Sequence, residues 1–404
     1  MRSAVSAPRI AILAGATHPR GGTVHALELG DALSRLGHDT TVFAPDPAGT
    51  GFSRGTLCAT EYLAASSVEG DPRATVDARI LDYVRHFEPA ENRRFDVWHA
   101  THYVPGVALA MLKERGLIYG FALTVHHILG DERFRPLQLQ AVNAADYLFV
   151  VSRMWRDWFV RELKREACCV GNGVDRNRFS PEADETDDEL RARLNLPVSA
   201  PIFLAVGGIE ERKNTIQILR AFQFVRVQHP SARLVIAGGD SLVEYGAYKV
   251  TFAEVLAQSG VTEAVAVTGP LPQKLMPALY RAATSLVFPS LREGFGLVVL
   301  EAMASGIPVI TSRKAPFTEY LGEDDVLWCD PLVAASIAEA MERSLDPARR
   351  PLLIARGKQV AAGHDWDDIA RAHLPTYQKL LGRSETSGKV KFDVGSGLLP
   401  KVIE

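Results

Sequence analysis

At 404 residues the chain is long enough for two domains, each able to bury its own core. Its net charge of −3 points to neither nucleic acid nor another polyanion as partner, and its composition suits an α/β protein. The cysteines Cys58, Cys168, Cys169 and Cys329 lack C-x-x-C spacing, no apolar run reaches membrane-span length, and the N-terminus has no signal-peptide core, so a reduced cytosolic chain is expected.

Arg9 to Gly15 (RIAILAG) reads as a buried parallel strand. The loop after it holds Pro19 and Gly21-Gly22, a helix is expected from about Thr23 to Leu36, and TTVFAP is the next strand, a βαβ opening. No glycine falls between Gly15 and Gly21, so the dinucleotide fingerprint G-x-G-x-x-G is missing. Gly21-Gly22 before a helix suits a phosphate, an acceptor or a plain turn. Residues 50–92 read as variable loops around a helix within Val68 to Phe87.

FDVWHATHYVPG is a strand ending at His99 and His102, and ALTVHHILG one ending at His126-His127. Open α/β sheets bind ligands at strand C-termini, and a histidine there can donate to a sugar hydroxyl or phosphate. A satisfied structural histidine is the ordinary alternative. The spacing gives no clear third metal ligand. Met154 to Glu166 is amphipathic, with Trp155, Trp158, Phe159 and Leu163 on the apolar side and Arg153, Arg156, Arg161, Lys164 and Arg165 around it. Packing into a core is favoured over a membrane-surface role. Asn172-Gly173 marks a turn, and the acidic stretch Pro181 to Pro197 reads as a linker with one short helix, where the domain boundary is placed.

The second half repeats the alternation. PIFLAVGG ends in glycines that include Gly208, and the loop GIEERKN sets Arg212 and Lys213 between that strand and a helix from Thr215 to Gln228. Cations just before a helix N-terminus oppose its dipole; a bound diphosphate would account for them, a charged loop being the plain reading. ARLVIAGG and AVAVTGPLP follow as strands, the latter turning at Gly269-Pro270-Leu271.

The densest stretch is SLVFPSLREGFGLVVLEAMASGIPVI, Ser285 to Ile310. It reads as a strand, a loop with Gly294 and Gly296, and a helix from Leu297 that ends at Ser305-Gly306. Unpaired N–H groups and the helix dipole make such a turn a ready anion site. Glu293 and Glu301 bracket it, with seven residues between. Glu301 could hold a ribose diol while the turn holds phosphate, leaving Glu293 to face the group beyond. A buried unit with surface glutamates fits the spacing about as well.

EGFGLVVLEAMASGIPVI resembles the signature of the family 4 retaining glycosyltransferases of GT-B fold. The resemblance implies an α/β chain of two Rossmann-like, doubly wound parallel-sheet domains facing across a cleft. HDWDDIARAHLPTYQKLL would be a C-terminal helix crossing back to the first domain. The expected division is 1–193, 194–366, a crossover helix at 367–383 and a tail at 384–404. The resemblance further implies that Glu293 contacts the donor sugar, Glu301 the ribose, and the turn Phe295, Gly296, Leu297 and Val298 the diphosphate. Arg212 and Lys213 would steady the leaving diphosphate, Arg212 standing in for an arginine that the family often has where this chain has Gly208. Gly269 and Leu271 fall near the base, Gly21 and Gly22 near phosphate and acceptor, and His126 at the cleft wall. His102 or His99 would sit near the transferred sugar; the H-A-T-H spacing is one residue longer than the family's.

The implied co-substrate is a nucleoside-diphosphate sugar, a UDP-sugar first and a GDP-sugar second, with no metal required. The acceptor is open among small molecule, lipid and polysaccharide, and so is the oligomeric state. A cytoplasmic location is implied, with peripheral contact at the inner face of a membrane as a variant. Retention by front-face attack needs no enzyme nucleophile, so Glu293 is not cast as one. A dehydrogenase, a sugar-nucleotide epimerase of related fold and a non-catalytic sugar-nucleotide sensor are the alternatives. The joint presence of Glu293 and His102 favours an enzyme over the sensor.

Overall fold

The structure, a computed structural model, describes residues 8–66, 71–128, 132–197, 199–239 and 246–387. Its first sheet has seven parallel strands: β1 (Arg9–Leu13), β2 (Asp39–Pro45), β3 (Ala59–Leu63), β4 (Val97–Ala100), β5 (Ala122–Val125), β6 (Tyr147–Val150) and β7 (Cys168–Cys169). They lie in the order β3-β2-β1-β4-β5-β6-β7. The helices between them are α1 (Gly21–Arg35), α2 (Pro72–Phe87), α3 (Tyr103–Glu114), α4 (Arg135–Ala144) and α5 (Arg153–Leu163). Helices on both faces explain why Ile10 to Leu13 is a continuous apolar run, at most 1 % exposed, rather than an alternating one.

The second sheet has β8 (Ile202–Val206), β9 (Arg233–Ala237), β10 (Val265–Gly269), β11 (Ser285–Phe288), β12 (Val309–Ser312) and β13 (Leu327–Cys329), in the order β10-β9-β8-β11-β12-β13. Around it pack α6 (Thr186–Leu194), α7 (Thr215–Gln228), α8 (Gly246–Gln258), α9 (Met276–Ala282), α10 (Leu297–Ala304), α11 (Ala334–Ser344) and α12 (Arg350–Ala362). The last helix, α13 (Trp366–Ser387), returns to the first domain. Its Trp366, Ala370, Tyr377 and Leu380 join the apolar core of β1 and α1, and Asp367 pairs with Arg35 at 2.8 Å.

Each sheet reverses its strand order once, between β1 and β4 in the first and between β8 and β11 in the second. Crevices at the C-terminal ends of such strands are where open α/β sheets take ligands. The chain after β1, β4 and β5 carries Gly21-Gly22 at the start of α1, His102 and His126; that after β8 and β11 carries Arg212-Lys213 and Glu293–Gly296.

Some details differ from expectation. The first helix starts at Gly21, so the glycine pair is its first turn rather than a loop before it. The helix expected within Val68 to Phe87 begins at Pro72, where Asp71 accepts a bond from Arg73 N–H; Val68 itself lies outside the described residues, as does the tail from 388. Phe179, Leu190 and Leu196 sit in the second core with Leu204, Leu279 and Leu286, so that core reaches back before residue 194. In α5, Phe159 is buried and Trp155, Trp158 and Leu163 pack against the first core, as the core-packing reading expects. No helix among the described residues is long and apolar enough to cross a membrane.

Candidate active site

β8 runs into Gly207 and Gly208, both at positive φ. A Cβ on Gly207 would lie 2.7 Å from Lys213 Cε, so the glycine makes room for the lysine to double back over the strand end. A Cβ on Gly208 would meet the Gly239 carbonyl oxygen at 2.8 Å, and Arg212 supplies the cation from the following turn. That turn is pinned to the end of β11. Leu291 N–H donates to the Arg212 carbonyl at 2.8 Å, and the Ser290 hydroxyl donates to the same oxygen at 2.7 Å.

The pinning brings three charges together. Lys213 Nζ lies 2.5 Å from Glu293 Oε1 and Arg212 Nη1 3.0 Å from the same oxygen. The Ser290 hydroxyl oxygen lies 3.0 Å from it. Glu210 takes the other edge of the guanidinium, with Arg212 Nε at 2.7 Å. Burial alone would push the Glu293 carboxyl up; the Lys213 ammonium and Arg212 guanidinium outweigh it and hold the group at about 2. Burial, with Arg212 beside it, brings the Lys213 ammonium down to about 8.

Beyond Glu293 the chain turns through two glycines that tolerate no side chain. A Cβ on Gly294 would fall 2.2 Å from the His126 carbonyl oxygen in the first domain. Gly296 has φ +96, and a Cβ there would strike Phe317 at 2.7 Å. Gly296 is also the N-cap of α10, so the first-turn N–H groups of that helix open beside the cations. Phe295 is held from behind by Tyr320, stacked at 4.6 Å and nearly parallel. One turn into α10, Glu301 accepts a bond from the Tyr280 hydroxyl at 2.6 Å.

Pro19, Gly21 and Val24 from the first domain and Leu297, Val298 and Glu301 from the second line one cavity of about 90 Å³. Gly269, at φ +65, ends β10. Leu271 faces the second core and is 7 % exposed.

The histidines separate. His126 is half-buried, with its ring 3.4 Å from where a Cβ on Gly22 would be, and so lies on the cleft wall beside the glycine pair. His102 caps α3, its Nδ1 accepting from Val104 N–H at 3.3 Å, and its ring packs over Gly15. His99 is not brought to the cleft. It is 0 % exposed, its Nδ1 lies 2.8 Å from the Tyr377 hydroxyl and its Nε2 2.7 Å from Thr124 Oγ1. Both ring nitrogens are used under α13, which corrects its place among the candidates: it holds the crossover helix.

Comparison with known proteins gives this site its family. Residues 19–178 match the model described as Glycosyltransferase Family 4, and residues 186–358 the model described as Glycosyl transferases group 1. A D-inositol 3-phosphate glycosyltransferase from Catenulispora acidiphila is 31 % identical over 314 residues, covering 71 % of this chain and 73 % of the relative. The chain belongs to the family 4 glycosyltransferases. A D-inositol 3-phosphate glycosyltransferase from Xylanimonas cellulosilytica is 27 % identical over 93 % of this glycosyltransferase and 98 % of its own length. Among solved structures, sucrose-phosphate synthase from Thermosynechococcus elongatus superposes with a TM-score of 0.77 at 24 % identity, covering 93 % of this chain and 99 % of that one. Anabaena Alr3699/HepE, solved with UDP and glucose, superposes at 0.71 and 16 % identity, covering 95 % and 100 %. These likenesses identify a GT-B fold.

Several residues of the glycosyltransferase's site were not singled out by sequence. Ser290 and Glu210 flank the charge cluster, Tyr280 holds Glu301, and Tyr320 backs Phe295. His127 is exposed at the same mouth and feels the charges of Arg212 and Glu293. Ser290 stood in the visible Pro-Ser turn; Tyr280 and Tyr320 gave no local signal, because only the tertiary fold sets them against the motif.

Proposed function

We propose that this glycosyltransferase moves a sugar from a nucleoside-diphosphate sugar, a UDP-sugar first, to an acceptor hydroxyl with retention of anomeric configuration. The observation that carries the reading is the Arg212–Lys213–Glu293 cluster set against the N-terminus of α10. As the anomeric bond breaks, negative charge grows on the leaving diphosphate. Cations and helix N–H groups already fixed in place stabilise that charge without reorganising.

Glu293 is the counter-ion of both cations. A diphosphate brings its own negative charge to them, and Glu293 is then available to the sugar hydroxyls. Glu301, held by Tyr280, is placed to accept from a ribose diol. Gly21-Gly22, His102 and His126 form the facing wall, and parting of the domains admits the donor before closure excludes water. No step here uses a metal. The relatives' names supply the first acceptor to try, D-inositol 3-phosphate.

A thermal-shift titration with UDP, GDP, ADP, TDP and NAD tests the donor class, because a ligand that binds only the native state raises the melting temperature. A selective rise with UDP is expected. A rise with NAD alone overturns the reading in favour of a dehydrogenase.

A further inference from the structure

The N-terminus of α5, in the first domain, is completed by the second domain. Its N-cap residue Ser152 is extended but makes no side-chain cap bond, and no acid stands in the helix's first turn. The Ser152 hydroxyl is buried with no partner among the described residues. Glu319, in the turn after β12, reaches across instead. Its Oε2 accepts from Arg153 N–H at 2.6 Å and its Oε1 from Met154 N–H at 2.7 Å. The Arg153 guanidinium donates to the Glu319 carbonyl at 2.8 Å. A carboxylate on first-turn N–H groups satisfies donors that the helix cannot, and it meets the positive end of the dipole. This bond exists only while the domains are together.

The next residue ties the bond to the donor turn. Tyr320 stacks on Phe295 and donates its hydroxyl to the Phe295 carbonyl at 3.2 Å. Val151, just before Ser152, is buried within the second domain's core. Two consecutive residues, Glu319 and Tyr320, therefore hold the first domain's helix and the glycine turn.

We propose that Glu319 is a positioning residue that latches the two domains together by capping α5 in place of Ser152. Tyr320 carries that closure to the Phe295 turn. When the domains part, the Ser152 hydroxyl takes over the cap, as serine commonly does at helix starts. The two caps are alternatives, and their relative strength biases the closed-to-open ratio. The latch rests on contacts within the chain; only its link to a diphosphate-binding turn rests on the function proposed above.

The test is a distance measurement between two spin labels, one on an exposed residue of each domain, in the ligand-free full chain with Cys168 replaced by serine. Glu319→Ala is expected to lower the closed-to-open ratio about two- to thirtyfold, the range that loss of a cap gives. Arg153→Ala should lower it less, and Ser152→Ala should raise it. Opposite shifts from two residues at one helix end are not produced by general loosening, and circular dichroism melts establish that each variant is folded. An unchanged distance distribution in folded Glu319→Ala, or opening in Ser152→Ala, overturns the latch. Failure of UDP to bind the same proteins bears on the proposed function alone, since the ligand-free distances still decide the latch.

Discussion

Lys213 and Glu293 are buried together, yet their protons respond in ways that differ in consequence. Glu293, at about 2, stays a carboxylate throughout the working range. Lys213, at about 8, does not stay charged throughout. Its ammonium is the form that attracts a diphosphate, so UDP affinity should be full at pH 7 and fall as pH rises through about 8. Titrations of UDP between pH 7 and 9 read this directly, and Lys213→Ala should abolish the trend; a flat profile in the native protein would remove Lys213 from the diphosphate. His99 makes the complementary case. Cutting it to alanine orphans Tyr377 and Thr124 in the core, so urea unfolding should show a loss of about 1–3 kcal/mol while UDP affinity is unchanged. A selective loss of UDP affinity would return His99 to the site. The sequence showed a histidine at a strand end in both His99 and His102. It did not show that α13 would come back to cover one of them.

At the scale of elements, the strand–glycine turn–helix unit was readable because its signals are local: an apolar strand, two glycines, then helical periodicity ending at Ser305-Gly306. What the two glycines are for was only half legible. Gly296 is required by its own backbone, at φ +96, whereas Gly294 is required by a carbonyl in the other domain. Gly296→Ala should therefore lower the melting temperature with or without ligand, because an L-residue is strained there. Gly294→Ala should leave the second domain intact but hold the domains apart, seen as a larger radius of gyration in scattering from the UDP-saturated protein. An unchanged radius would show that the His126 contact is not what limits closure. The short helix α6 was read as part of a linker because its residues are mostly charged; Leu190, fully buried against the second core, is what attaches it.

For the whole molecule, alternating strands and helices were enough to suggest two parallel sheets, because βαβ units leave few topologies open. The contacts across the domains were not legible, since they join residues more than a hundred positions apart, as Arg153 N–H joins Glu319 at 2.6 Å. Under α13 the first domain carries a cluster of histidines with a measurable consequence. Burial holds His25 at about 4 and His373 at about 3, and puts His99 and His126 well below the ordinary 6.5. Between pH 6.5 and about 4 the unfolded chain takes up protons that the folded chain refuses. Stability is thus intact above 6.5 and is lost as pH falls through that window. Glu28, pushed up to about 7 by burial despite Arg54 and Arg178, acts in the opposite sense and offsets part of the loss. Urea midpoints measured from pH 7 to pH 4 should fall steeply below 6.5, and a constant midpoint would contradict the cluster's neutral state.

The account turns on a diphosphate held by Lys213, Arg212 and the α10 turn with its ribose on Glu301, and calorimetric titration of UDP into the native protein, Lys213→Ala and Glu301→Ala tests it most directly. The native protein should bind one UDP, and each substitution should weaken binding roughly tenfold or more, as expected for a hydrogen bond to a charged group. UDP that binds all three proteins equally, or none of them, would contradict it.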